Sequence, residues 1–221
     1  MHVWPCEGFY LGLVWIFRVT GADPMRGGGW DDGYNIPYLI YSPDGIRWKR
    51  LPECEPFIPP GPAGSFECGS IYSAGDHQVV LGDEIRFYYF GVNYTHGNAD
   101  PINSPTRKSG FGFATLKRDR YVGWQGAAVA GTLLTKPLKF AGRELHLNLE
   151  AKGGEARVAL LGADGKVLAG FAAEDCEPIS ADSFDQAVKW RGSSDLSALA
   201  GKEVRVQFSL RQSALYTWQF K

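Results

Sequence analysis

Apolar and polar residues alternate with a period of two through much of this chain. The segments RELHLNLEA (Arg143–Ala151) and EVRVQFSL (Glu203–Leu210) show it most cleanly. Successive side chains of a strand point to opposite faces, so this alternation predicts half-buried strands. Across the second half it predicts strands over Thr132–Thr135, Glu144–Glu150, Ala156–Leu161, Val167–Phe171, Ala187–Trp190, Val204–Leu210 and Leu215–Phe220. Turns such as KGGE and ADGK separate them. Asp195–Ala200 alone reads as a helical turn. Seven or eight strands in about 95 residues predict an antiparallel β-sandwich or jelly roll.

The first half carries two stretches built on one plan. In the first, EGFYLGLVWIF leads through a Gly-rich loop into IPYLIYSPDGIRWKRL. In the second, DEIRFYYFGVN leads through a polar loop into GFGFATLKRDRYVGWQ. Each then has a turn around an Asp (Asp44 or Asp119) and a short strand with aromatics (Trp48, or Tyr121 and Trp124). Asp and Gly suit such turns, because Asp bonds neighbouring backbone amides and Gly accepts positive φ. GSIYSAG (Gly69–Gly75) reads as the innermost strand of the second stretch, and HVWP as the start of the first. Repeated four-stranded meanders are the pattern of propeller blades. PECEPFIPPGPAG between them reads as a connector. The expected fold is therefore all-β. About two four-stranded blades of a partial β-propeller occupy residues 1–125, and the sandwich occupies 126–221. Two blades cannot close a propeller, and their exposed flanks call for a partner, with a homo-oligomer as one solution.

Composition sharpens this picture in a few places. Aromatics make up 14% of the chain, with 28 Gly and 13 Pro, as many short strands and turns require. The net charge of −1 gives no electrostatic reason to expect nucleic acid or an anionic membrane as partner. No apolar run approaches the roughly 20 residues of a membrane helix. The N-terminal MHVWPCEGFYLGLVWIF lacks a basic n-region and a small-residue cleavage site, so it does not read as a signal peptide. The sequence leaves the location open between cytoplasmic and, if the N-terminus is truncated, secreted. Cys6, Cys54, Cys68 and Cys176 form no CxxC pair, which argues against zinc and leaves a disulfide or, preferably, buried free thiols. The sequence has no G-x-S-x-G elbow, P-loop or dinucleotide fingerprint, and no cofactor is expected.

Five segments in order, YSPDGIRWKR, GDEIRFYYFGVNYTHG, TKPLKFAGRELHLNLEA, AGFAAEDCEPISADS and VRVQFSLRQSALYTWQF, resemble the C-terminal region of a group of bacterial proteins. That group is similar to the five-bladed-propeller glycoside hydrolases: arabinanases, β-xylosidases, invertases and levanases. The resemblance covers nearly the whole chain. It implies a protein that hydrolyses glycosidic bonds of plant or microbial oligosaccharides with paired carboxylates. The alternative is a non-catalytic carbohydrate-binding or structural module. In the superfamily the catalytic acids lie on the innermost strands of successive blades. The resemblance gives this chain the last two blades and leaves the acids of earlier blades outside it.

Glycoside hydrolysis needs two carboxyl groups about 5–5.5 Å apart for retention, or about 6.5–9.5 Å for inversion. Glu67, in SFECGSIY, begins the innermost strand of the second stretch. Its Glu-Cys pair resembles the dipeptide that holds the acid in invertase-like enzymes, although Gly69 replaces the usual proline. Glu7 holds a comparable place in WPCEGFY. Asp31 and Asp32, in the loop GGGWDDGYN, offer a second carboxylate. The spacing of Asp23, Asp31 and Asp32 matches no EF-hand loop, and no metal is expected. His96 in NYTHGNADP, beside Tyr94 and Asp100, is a candidate for orienting a sugar, and Arg107 ends the same loop. Trp4, Trp30, Tyr34 and Tyr94 are candidate sugar-stacking rings. Trp15, Trp48, Trp124 and Trp218 read as core, and Trp190 fits either role. Asn93-Tyr94-Thr95 fits a glycosylation sequon but reads as chance without a secretory signal.

Overall fold

The computed structural model describes residues 1–22, 31–51, 55–73, 78–97 and 106–221. They form an all-β protein whose sheets are antiparallel and none of them closed. The chain divides into two compact units, Met1–Leu116 and Lys117–Lys221.

The first unit opens with a four-stranded meander in sequential order: β1 (His2–Cys6), β2 (Phe9–Ala22), β3 (Asp31–Ser42) and β4 (Lys49–Arg50). Glu7 and Gly8 make the two-residue turn between β1 and β2, with φ of 45° and 83°. Positive φ at both positions gives the twist that suits a tight hairpin. β2 and β3 pair from Tyr10↔Ser42 to Ala22↔Asp31, with one register shift between Val19 and Gly21. Gly33 is required in this ladder, since a Cβ there would lie 2.1 Å from the Arg18 carbonyl oxygen. The expected turn around Asp44 is present. Its carboxylate accepts hydrogen bonds from the amides of Ile46 (2.9 Å) and Arg47 (2.7 Å). These amides hold the Asp44 carboxyl below the usual range.

The second sheet of this unit comprises β5 (Ile71–Ser73), β6 (Val79–Leu81), β7 (Glu84–Val92) and β8 (Ser109–Lys117). β7 is its centre and pairs with the other three. Apolar rings join the two sheets near the β1–β2 turn. Trp4 is buried, with its ring centroid 5.9 Å from Phe87, and Phe57 meets Phe87 edge-on at 5.1 Å. Farther along β3 the joint is polar. The Asn35 amide donates to Ser70 Oγ (3.1 Å), and Asn35 Nδ2 donates to the Tyr72 hydroxyl (3.2 Å).

The second unit has two sheets. One is ordered β14 (Asp182–Ala187), β12 (Leu145–Glu150), β16 (Ala214–Phe220), β9 (Trp124–Gln125). In the other, β15 (Glu203–Arg211) pairs with β10 (Gly131–Leu134), β11 (Leu138–Lys139) and β13 (Glu155–Gly162). Inward residues of both sheets form one core: Leu145, Leu147 and Leu149 with Val158, Leu160, Val204, Val206 and Phe208. Each such side chain contributes about 1.5–3 kcal/mol on burial. The expected helical turn is a 3₁₀ turn at Ser197–Leu199.

Arg120 anchors the segment leading into this unit. Its guanidinium lies 4.8 Å from the Phe184 ring centre and 4.9 Å from that of Tyr216. Its nitrogens donate to Asn148 Oδ1 (2.8 Å), the Leu149 carbonyl (3.1 Å) and Asp182 Oδ1 (2.6 Å). Lys117 also reaches Asp182, at 2.6 Å.

Several expectations are corrected here. The short strand with Trp124 was expected to complete the second meander, but it pairs with β16. Arg120 and Lys117 hold that segment to the second unit, so the boundary falls after Leu116 rather than after residue 125. Trp124 is exposed, not core. Val167–Phe171 forms no strand: it meets β13 through an isolated bridge from Val167 to Leu161 and through bonds of Leu168 and Phe171 to Leu160, and Gly170, at φ 83°, breaks the extension. The strand expected at Ala187–Trp190 ends at Ala187 and begins at Asp182. Asp31 and Asp32, expected in a loop, begin β3.

Candidate functional site

Three segments of the first unit meet through polar side chains: the start of β3, the stretch before β5, and the residues following β7. Asp32 is at their centre and is buried, while its neighbour Asp31 on the opposite face is exposed. Asp32 Oδ1 accepts from the amides of Gly33 (2.8 Å) and Gly97 (2.7 Å), and Oδ2 accepts from Thr95 Oγ1 (2.6 Å). The His96 amide donates to the Gly33 carbonyl at 2.8 Å. The carboxylate is thus a latch that ties Thr95–Gly97 onto β3. It leaves the His96 side chain exposed, its ring edge-on to Phe17 at 5.7 Å.

Asn93 closes the base of the same loop. It is fully buried, its Nδ2 donates to the Thr106 carbonyl (3.1 Å), and its Oδ1 accepts from the Lys108 amide (2.7 Å). The sequon asparagine is therefore a structural residue. Beside it, the exposed Arg107 guanidinium lies over the half-buried Tyr94 ring at 5.3 Å. One face of Tyr94 is covered by that cation.

Glu67 lies on the other side of this rim, in the turn-rich stretch before β5. Gly61 donates its amide to the Glu67 carbonyl (3.1 Å), and the Gly69 amide donates to the Val92 carbonyl (2.9 Å). Glycines make room for the side chain. A Cβ on Gly91 would lie 2.5 Å from Glu67 Cβ, and one on Gly61 would lie 2.5 Å from Glu67 Oε1 and 2.7 Å from Ser65 Oγ. Glu67 Oε2 and Ser65 Oγ are both buried without a hydrogen-bond partner. Such atoms are rare in folded proteins and costly. Nearby, burial and then the Glu67 charge push the Tyr89 hydroxyl up, so it stays a donor at neutral pH.

The remaining candidates are distributed as follows. Glu7 is exposed in the β1–β2 turn. Asp32 pairs with Gly21, at the far end of β2. About twelve strand residues separate the two acids, roughly 40 Å, far beyond any glycosidase pair. Trp4 was expected as a sugar-stacking ring, but it is in the core against Phe87. Trp190 resolves as core, donating from Nε1 to the Val158 carbonyl at 2.9 Å. Trp30, Asp23 and Asp100 lie outside the described residues. Among the described residues no three His, Cys, Asp or Glu side chains gather as a metal site. Among the described residues no disulfide joins Cys6, Cys68 and Cys176.

Sequence reasoning missed Ser65 and Tyr89 beside Glu67, and Asn35, Ser70 and Asn93 as supports of the rim. Nothing local marks Tyr89, Asn35, Ser70 or Asn93, because each acts through a partner more than ten residues away, and Ser65, two residues before Glu67, meets it at Gly61 through the fold of the turn. The second unit holds a separate polar cluster. His146 lies between Asp185 Oδ1 (2.8 Å) and Glu144 Oε2 (3.1 Å), Ser194 donates to Glu144 (2.5 Å), and Lys221 donates to Asp185 (2.5 Å). An open cleft of about 410 Å³ adjoins it, lined by Arg143, Glu144, Asp195 and Lys221.

The chain matches no family model, no curated protein and no solved structure.

Proposed function

We propose that this chain is a carbohydrate-acting protein of the glycoside-hydrolase-like type, in which Glu67 supplies one of the reacting carboxyl groups. The first unit is read as two blades of a partial β-propeller and the second as a β-sandwich. The observation that carries the proposal is the Glu67 carboxyl: half-buried, framed by glycines, with one oxygen lacking any partner. A general acid must be held in a semi-enclosed place with its proton uncommitted to the fold. The sequential meander β1–β4 and the adjoining β7-centred sheet are consistent with neighbouring blades. His96, Tyr94 and Arg107 supply the polar and aromatic groups that a sugar site combines. No cofactor is needed for this chemistry.

A second reading is favoured by Asp32. Both of its oxygens are used by Gly33, Gly97 and Thr95, so it serves the fold and is not free as base or nucleophile. Without a second free carboxylate the rim would bind glycan without cleaving it. Hydrolysis of a panel of aryl-glycosides and plant oligosaccharides, with glycan binding measured on the same sample, separates the readings. Turnover abolished by Glu67→Gln with folding intact supports the hydrolase. Binding without turnover supports the recognition module, and neither turnover nor binding refutes both.

A further inference from the structure

The outer strand of the second sheet presents an unguarded edge. Among the described residues β8 pairs with β7 alone, because the short strand that follows it, β9, joins β16 instead. From Ser109 to Leu116 the strand carries no charge and no proline. Natural edges usually carry one of these guards, since a row of unpaired amides and carbonyls is a template for another strand. Alternate β8 residues are exposed, and Phe111 (78% exposed) and Phe113 (48%) stand on one face. They form a strip with β7: Phe111 meets Phe90 at 5.3 Å and Phe113 meets Tyr88 at 5.8 Å. Arg86 lies over Phe113 at 4.7 Å. Contiguous exposed aromatics on a sheet face mark an interaction surface.

We propose that this edge is a self-association site, at which β8 of one copy pairs antiparallel with β8 of a second copy about a twofold axis through Phe113. The strand is suited to itself. Full overlap of Ser109–Lys117 with its symmetry mate sets Phe113 opposite Phe113, Phe111 opposite Thr115 and Lys117 opposite Ser109. Within this overlap no like charges face each other, although Lys108 and Arg118 meet just beyond each end, and the aromatic strips of both copies join on one face of a continuous sheet. Such a contact is isologous and closes after two copies. A nine-residue strand pair with its aromatic cover buries on the order of 500 Å² per copy, below the roughly 800 Å² of a standard interface. The dimer is therefore concentration-dependent, with dissociation in the micromolar range. This inference does not rest on the carbohydrate reading.

Sedimentation of the full chain from about 1 to 200 micromolar tests it. The expected result is a monomer–dimer equilibrium. Phe113→Lys puts two ammonium groups at the axis and should weaken the dimer at least about tenfold with the circular dichroism unchanged. Phe113→Cys should give a covalent dimer under mild oxidation, above the level of wild type and of Val129→Cys, an exposed position in the second unit. That arm decides the matter if Phe113→Lys misfolds. A monomer at every concentration overturns the proposal. So does a dimer that Phe113→Lys leaves unchanged and Phe113→Cys does not cross-link.

Discussion

Asp32 and Gly97, 65 positions apart in the chain, are joined by a 2.7 Å hydrogen bond from the glycine amide to the buried carboxylate. With the bonds from Gly33 and Thr95 it makes one side chain responsible for holding Thr95–Gly97 against β3. Asp32→Ala strands two amides and a hydroxyl and should cost about 2–4 kcal/mol. Asp32→Asn keeps an acceptor for both amides and should cost about half as much. Urea denaturation of the two variants, followed by tryptophan fluorescence, checks the order.

Arg120 is the corresponding cation of the second unit. Its side chain is 3% exposed, and it satisfies Asn148, Asp182 and the Leu149 carbonyl at once. Arg120→Ala removes the donor to Asn148 Oδ1 and the Leu149 carbonyl, leaves Asp182 with Lys117 alone, and should cost about 3–5 kcal/mol. Arg120→Lys should recover little, because an ammonium lacks the planar fork that stacks between Phe184 and Tyr216. Thermal unfolding of both variants is the measurement.

Carboxylates of the second unit should contribute to the acid limb of stability. The Lys117 bond, then Arg120, hold Asp182 below its ordinary 3.8. Lys221 does the same for Asp185. Groups depressed in the folded state stabilise it above their unfolded value, and that stability is lost as pH falls through the folded one. The melting temperature should therefore fall below about pH 4, and less steeply in Asp182→Asn. The effect is modest, since these side chains are one-third to one-half exposed and screened by water.

Gly91 makes the space in which Glu67 sits. A methyl there meets Glu67 Cβ at 2.5 Å, which is overpacking against a stem that has little room to move. Gly91→Ala should cost about 1–3 kcal/mol. It should also displace the Glu67 carboxyl, so any glycan turnover would fall with the fold retained.

Thiol reactivity should rank the cysteines by burial. Burial pushes the Cys176 thiol up, and its sulfur lies within 3.3 Å of the Val158 amide and the Glu177 carbonyl. In the native protein it should react with a chromogenic disulfide far more slowly than the half-buried Cys6 and Cys68.

The strands of the second unit were legible where alternation is strict. Glu203–Arg211 shows an almost perfect alternation of exposed and buried residues, as its sequence foretells. The Asp44 turn was also legible, because Ser42, Asp44 and their bonded amides are neighbours in sequence. Alternation does not say which sheet a two-residue strand joins, so Trp124 was assigned to the wrong partner. Glu67 was found from its local sequence and its place before a strand. Its surroundings were not, because Gly61, Tyr89 and Gly91 reach it only through the tertiary fold. The same holds for Asp32, whose ligands Thr95 and Gly97 lie more than sixty residues away.

The placing of β15 and β16 bears on how the protein is made. β15 binds three strands of one sheet, and β16 lies between β12 and β9 in the other. Both come later in the chain than every strand they pair with, so both emerge from the ribosome after those strands. Until they emerge, β10, β11 and β13 have no common partner, and β9 has nothing to pair with. The two sheets of the second unit therefore close only once β15 and β16 have emerged, although β12 can pair with β14 earlier. Until then the strands that wait for β15 and β16 carry open edges, the kind of surface on which nascent chains mispair.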